Sequence, residues 1–331
     1  MLKVGKLDSD LLKQIVIDKI EHRRPEVLVS AGIGEDCAVV DFGEYECVMS
    51  TDPITASVKE IGRLAVHISC NDIASNGVEP VGILLVLMMP EGTSKEDIAT
   101  IMEQASSAAK ECNVDIIGGH TEITMAVNKP VIVSTAIGRA KKWQSASAEN
   151  IKVGDYILMT KSAGIEGTAI IAGDFQEELR TFLSQEEIEE ASEFLHSISV
   201  VREGIVAGTT GTHGMHDVTE GGILGAIWEM CQIAGVGAEV WGDSVNVEPV
   251  TRKICAHYGI DYLRLISSGS MIIMASPTKR DEILSKLAVS GVKASVIGRI
   301  VDKSQGLTVT ENGITEPIDP PKPDELYKVL K

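Results

Sequence analysis

Apolar positions fall into runs of two periods along the chain, and the alternation of these runs sets the expected architecture. Glu46–Thr51, Val81–Met89, Val114–Ile117 and Val131–Ile137 predict strands, and the wholly apolar Val81–Met89 reads as a buried one. Between them lie two helical patterns. Ser57-Val58-Lys59-Glu60 has the form of a capping box opening a helix that runs to about Gly77. Thr93-Ser94-Lys95-Glu96 opens the other, with Ile98, Ile101, Met102, Ala105, Ala109 and Cys112 on one side. The small, polar stretch Lys141–Asn150 is the expected interdomain linker. Beyond it the pattern restarts with a strand at Asp155–Lys161, a turn and helix start at Gly164–Ala172, and a helix capped by Ser184 and Glu187. A glycine turn at Asp217–Gly222 leads into a helix through Trp228 and Cys231. Strands at Ala238–Trp241, Ser270–Ala275 and Ser295–Ile300, a helix at Thr278–Ser290 closed by Gly291, and a hairpin turn at Asn312-Gly313 complete the pattern. Strands and helices alternate in both halves, so the expectation is two α/β domains, residues 1–145 and 151–331.

Length agrees, since 331 residues at about 100–200 per domain make two domains. With 48 acidic against 30 basic side chains the net charge is −18, which repels a phosphate backbone and argues against nucleic-acid binding. A single nucleotide held through a divalent cation is compatible with that charge, because the ion reverses the local field. Val81–Met89 is too short to span a membrane, and Met1–Asp10 has no apolar signal core, so a cytoplasmic protein is expected. Six scattered cysteines without a C-x-x-C pair predict buried small side chains rather than a zinc knuckle or a disulfide framework.

The candidate chemistry lies in misplaced carboxylates. On a helical wheel, Ile61, Leu64, Ala65 and Ile68 form a stripe, and Asp72 falls in its middle with Asn71 beside it. A carboxylate there costs several kcal/mol unless paired or metal-bound; the alternative is that the helix ends early and Asp72 sits in a solvated turn. Three further clusters accompany it: Gly32-Ile33-Gly34-Glu35-Asp36 before an apolar strand, Ser50-Thr51-Asp52 at a strand end, and Gly118-Gly119-His120-Thr121-Glu122 after one. Strand-end acids converging with a glycine turn suit Mg²⁺–ATP, in which the ion takes carboxylate and phosphate oxygens.

The set and order of these segments resembles the AIR synthase-related (PurM-like) superfamily. Gly34-Glu35-Asp36-Cys37-Ala38-Val39 looks like its G-D-D-x-A-V segment, Ser50-Thr51-Asp52 its T-D segment, and Asn71-Asp72-Ile73-Ala74-Ser75-Asn76-Gly77-Val78-Glu79-Pro80 its N-D-[LI]-A-x-x-G-x-x-P segment. Gly118-Gly119-His120-Thr121 resembles G-G-[DE]-T, Asp217-Val218-Thr219-Glu220-Gly221-Gly222 resembles D-x-T-x-G-G, and Ser268-Gly269-Ser270-Met271 resembles a late S-G-x-[LM]. The resemblance implies two AIRS domains and a homodimer whose N-terminal sheets join in a barrel-like core. It also implies ATP and Mg²⁺ in a cleft, and phosphorylation of an oxygen. By the same carry-over Asp36, Asp52, Asp72 and His120 are metal ligands, and Asp72, Asn71 and Asp217 are catalytic. Gly34, Asp52, Asn71, Gly118, Gly119 and Thr121 line the nucleotide, and Thr219, Gly221 and Gly222 line it towards the acceptor.

Within the superfamily the HypE-like branch, of hydrogenase maturation, fits best, through Gly5-Lys6-Leu7, Asp36 and Thr51-Asp52-Pro53-Ile54-Thr55. The sequence departs from that branch at three points. HypE proper ends in a cysteine, whereas the last one here is Cys255, which implies a HypE-like paralogue; Glu35 replaces the first acid of a pair; and His120 stands where an acid is usual. Imidazole is a poor Mg²⁺ ligand, and Glu122 is close enough to compensate. His67 reads as a structural histidine, His213 and His216 as loop residues flanking the Asp217 turn. Residues 163–168 form either a phosphate cradle or an ordinary turn. The leading expectation is an ATP- and Mg²⁺-dependent enzyme activating an oxygen of a small-molecule or carrier-bound acceptor, with a maturation-protein partner. A small-molecule kinase of the thiamine-monophosphate type and a non-catalytic nucleotide-binding scaffold stand beside it.

Overall fold

The computed structural model describes residues 7, 9–55, 60–142 and 144–330. The chain opens with the short helix α1 (Ser9–Ile15) and then builds a six-stranded sheet from β1 (Val27–Val29), β2 (Ala38–Asp41), β3 (Tyr45–Ile54), β4 (Pro80–Met89), β5 (Asp115–Ile123) and β6 (Val131–Lys141). The strand order is β1-β2-β3-β6-β4-β5, antiparallel except for the β4–β5 pair. Two helices, α2 (Ile61–Ser75) and α3 (Lys95–Cys112), cover one face. Their apolar sides and the inward residues Val48, Ile83, Leu85, Leu87, Ile132 and Ala136 make one core. The other face carries Val86, Met88, Val133 and Ile137, all half-buried, and Leu84, exposed. The sheet is open within one chain, so a barrel-like core requires a second copy.

The second sheet has the order β13-β12-β9-β11-β7-β10-β8. Its strands are β7 (Tyr156–Thr160), β8 (Gly214–Asp217), β9 (Gly237–Trp241), β10 (Met271–Ala275), β11 (Ala294–Val301), β12 (Leu307–Glu311) and β13 (Ile314–Pro317). The accompanying helices are α4 (Ile165–Asp174), α5 (Gln176–Leu179), α6 (Gln185–Glu193), α7 (Val201–Thr210), α8 (Gly222–Ala234), α9 (Pro249–Tyr258) and α10 (Arg280–Val289). Mixed sheets with helices make this the expected two-part α/β architecture.

Several boundaries differ from the sequence expectation for local reasons. Ser57, Val58 and Lys59 lie outside the described residues, as do Gly5 and Lys6; α2 begins after Glu60, which is left-handed (φ 56°) and gives no side-chain cap. The cap of α3 is Ser94 with Asp97, one position on from the expected Thr93 with Glu96. The Ser184–Glu187 capping box forms as expected. The expected linker is pinned to the first half: Lys142 bonds Asp41, the Ser145 amide donates to buried Glu46, and the Ala146 amide donates to the Asn76 carbonyl. The two halves pack tightly where α7 crosses the end of α2. A Cβ on Gly204 would lie 2.2 Å from the Ala74 carbonyl oxygen, so only glycine permits that approach.

Candidate functional site

Asp72 sits on the last turn of α2, buried, with one oxygen accepting a 2.5 Å hydrogen bond from Ser50 on β3. The helix does not end early; it carries the carboxylate into the interior. The same Ser50 hydroxyl lies 3.4 Å from Asp52, two residues on along β3. Asp217, at the end of β8, is fully buried and approaches from the second half of the chain. The Ser75 hydroxyl donates to Asp217 Oδ1 at 3.2 Å and accepts its amide at 3.0 Å, which ties β8 to α2. Asp36 comes from the loop before β2. That loop reaches across to α8, where a Cβ on left-handed Gly34 (φ 77°) would stand 3.0 Å from Ile233. Four acids that are distant in sequence, Asp36, Asp52, Asp72 and Asp217, therefore converge where the two halves meet.

Their electrostatics are unbalanced. Burial, then Asp217, Asp52 and Asp36, push the Asp72 carboxyl far above the usual range. Burial and Asp36 raise Asp217 likewise, against His216. Asp217 Oδ2 is buried with no hydrogen-bond partner, a costly state for a carboxylate oxygen. One counter-ion is built in. His216 lies 3.4 Å from Asp36, and its Nδ1 donates to the Asp217 carbonyl (2.6 Å) while its Nε2 donates to Glu229 (3.2 Å). Both ring nitrogens facing acceptors requires imidazolium. Burial opposes that charge, but Asp36, Glu229 and Asp217 outweigh it and lift the His216 pKa to about 10. Ligand atoms of Asp36, His216 and Asp217 lie within 4.8 Å of one another. Because the imidazolium has no free lone pair, a cation here would take the carboxylates, an oxygen set that suits Mg²⁺. His216 was expected in a solvated loop; it is buried in β8, and its place beside Asp217 in sequence was the available signal.

Other expected site residues fall elsewhere. Asn71 was expected to orient nucleotide or metal, but its Nδ2 donates to the Ile198 carbonyl and its Oδ1 accepts the Val200 amide, both at 2.8 Å. A fully buried amide must be satisfied, and this one is satisfied by the backbone leading into α7, so it clamps the two halves together. Gly118, Gly119, His120 and Thr121 form no turn: they continue β5, the sheet's edge strand. In register, Asp52 pairs with Ser134, Ser134 with Leu85, and Leu85 with Gly119. Three strand spacings, about 14 Å, therefore separate that segment from the acids. His120 is exposed and lies 3.3 Å from Glu122, so within one chain it does not join the ligand set. Gly221 gives its amide to Asp324 at 2.8 Å, and Gly222 packs so that a Cβ would meet the Leu263 carbonyl oxygen at 2.6 Å. A carboxylate of the C-terminal segment thus occupies the amide expected to face an acceptor, and Thr219 is half-buried beside it. The loop at 163–168 is also taken, since Gly164 and Ile165 amides donate to the Ser267 hydroxyl, which makes it an ordinary turn.

Comparison with known proteins gives a consistent pattern. Residues 34–140 match the model of the AIR synthase related protein N-terminal domain, and residues 152–310 that of its C-terminal domain. A hydrogenase expression/formation protein of Methanocaldococcus jannaschii is 26% identical over 92% of this chain and 91% of its own length. The carbamoyl dehydratase HypE of Bradyrhizobium diazoefficiens is 28% identical over 81% and 78%. Among solved structures, a HypE–HypF complex aligns with a TM-score of 0.78 at 23% identity, covering 94% of this chain and 99% of the other. A hydrogenase maturation protein HypE in complex with ATP aligns at 0.73 and 21%, covering 98% and 97%.

Proposed function

The chain belongs to the AIR synthase related family, and from that premise we propose that it is a HypE-like, ATP- and Mg²⁺-dependent enzyme that activates an oxygen of a small-molecule or carrier-bound acceptor. Its setting would be hydrogenase or metallocofactor maturation in the cytoplasm. The observation that carries the reading is the unpartnered Asp217 Oδ2 among the buried acids Asp72 and Asp217 and the neighbouring Asp36 and Asp52. Four carboxylates repel a triphosphate, so nucleotide binding here needs a cation between them. Asp36, Asp52, Asp72 and Asp217 would hold Mg²⁺, which neutralises phosphate charge when bound. Phosphoryl transfer asks mainly for positioning and charge neutralisation, and Ser50, Ser75 and His216 fix the acids in place for both. The named relatives support the branch: one is a carbamoyl dehydratase, and one similar structure is a complex with ATP.

The reading extends to a homodimer with domains 1–145 and 151–331. It is supported by the uncovered sheet face bearing Leu84, Val86, Met88, Val133 and Ile137, and by exposed Ile117 and Ile123 on edge strand β5. Joining two such faces would bring Gly118, Gly119, His120 and Thr121 of one copy towards the partner's nucleotide. A maturation-protein partner is supported by the similar HypE–HypF complex. ATP hydrolysis with and without Mg²⁺ tests the core of the reading. The wild type should turn over only with the cation, and Asp217→Asn should lose at least 100-fold while remaining folded; equal turnover in the two proteins would refute it.

A further inference from the structure

Cys112, the last residue of α3, carries a second arrangement of reactive groups. Its sulfur lies 3.2 Å from His67 Nδ1 on the facing helix α2. His67 Nε2 makes no hydrogen bond and lies 3.5 Å from Glu111 Oε2. Glu111 is gripped in turn by both terminal nitrogens of Arg63. His67 is 1% exposed and Cys112 4%, so the sulfur–imidazole contact is shielded from bulk water. Cys112 and Glu111 also line a cavity of about 760 Å³ between the two halves, with Ser199, Arg202, Lys161 and Ile165 on the far wall. That volume admits a small organic molecule. None of the four acids lines it.

Cys37, Cys47, Cys231 and Cys255 have no such surroundings. Burial raises all four above the ordinary thiol value. Cys112 moves the other way: its neighbours Cys70, His67 and Ser199 favour the thiolate, against the cost of burial. The charged or titratable groups around it are Cys70, His67 and Arg63 on α2, Glu111 on its own helix, and His196, Arg202, Glu203, Lys161, Lys293, Glu248 and Glu79 around the cavity. A cysteine sulfur beside an imidazole that faces a carboxylate matches the general arrangement of a nucleophilic sulfur.

We propose that Cys112 is a nucleophilic thiolate, paired with His67, and that the interdomain cavity admits small carbonyl electrophiles to it. Sulfur would attack the carbonyl carbon of an activated acyl donor. The S–C bond forms, the bond to the leaving group breaks with that group keeping the electron pair, and the His67 proton passes to it. This site does not depend on the ATP reading and can fail separately from it.

The probe is iodoacetamide, which alkylates sulfur with loss of iodide. The whole chain is labelled from pH 4.5 to 9.5, and each cysteine is quantified by peptide mass spectrometry. Cys112 should label at least tenfold faster than half-buried Cys47 at pH 6, with half its plateau rate reached well below the ordinary thiol range near 8.5. His67→Gln should slow Cys112 at pH 6 at least tenfold and leave its rate at pH 9.5 within about threefold. Glu111→Gln should shift the profile in the same direction by less. If Cys112 labels no faster than Cys47, or if the wild-type profile has an ordinary thiol inflection, the inference is overturned whether or not the variants fold. A profile unchanged in folded His67→Gln overturns it as well.

Discussion

Asn71 and Asp72 are neighbours on one helix with opposite tasks. Asn71 spends its amide on the backbone at Ile198 and Val200, whereas Asp72 faces the acids. Asn71→Ala should therefore cost about 2–4 kcal/mol by stranding two buried backbone groups, seen as a lower Tm. Glu166 gives a pH signature away from the acid cluster. Burial lifts its pKa to about 7 from 4.5, and Oε2 lacks a partner. The native state then holds a proton that the unfolded chain has shed. Stability falls as pH rises from about 4.5 through 7 and stays lower above, by about 3 kcal/mol. Glu166→Gln should flatten that slope and raise stability at pH 8, measured by urea unfolding across pH; a slope identical to wild type would contradict the assignment.

At the scale of elements, β5 shows where the sequence was legible and where it was not. The hydrophobic pattern located β3, β4, β6 and the apolar face of α3, because burial imposes a period. It stopped β5 at Ile117, because Gly118-Gly119 marks a turn and a tightly packed edge strand alike. The structure resolves the ambiguity: a Cβ on Gly119 would lie 1.8 Å from the Leu85 carbonyl oxygen. Gly119→Val should detach the edge, lowering Tm and weakening self-association by size-exclusion chromatography. The Asp72 stripe was likewise readable from spacing. His216 and the Asn71 clamp were not, since each takes its role from a residue far away in sequence that only the fold brings near.

For the molecule as a whole, the acids of one half meet Asp217 of the other, so the acid cluster exists only when the halves are docked. Close packing at Gly204 and the Ser75–Asp217 bonds hold that docking. The uncovered face of the first sheet gives the proposed dimer its surface. Leu84→Glu should place a charge in that face and yield a folded monomer by light scattering, with reduced ATP turnover; an unchanged dimer would exclude this face as the interface. Among the described residues no helix is long and apolar enough to cross a membrane.

The proposed function stands on a cation-dependent nucleotide site built from acids of both halves. Calorimetric titration of Mg²⁺–ATP into the wild type and Asp72→Ala tests it most directly. Saturable, Mg²⁺-dependent binding is expected in the wild type, with its loss in the folded variant. Equal binding by both proteins, or none by a folded wild type, would contradict it.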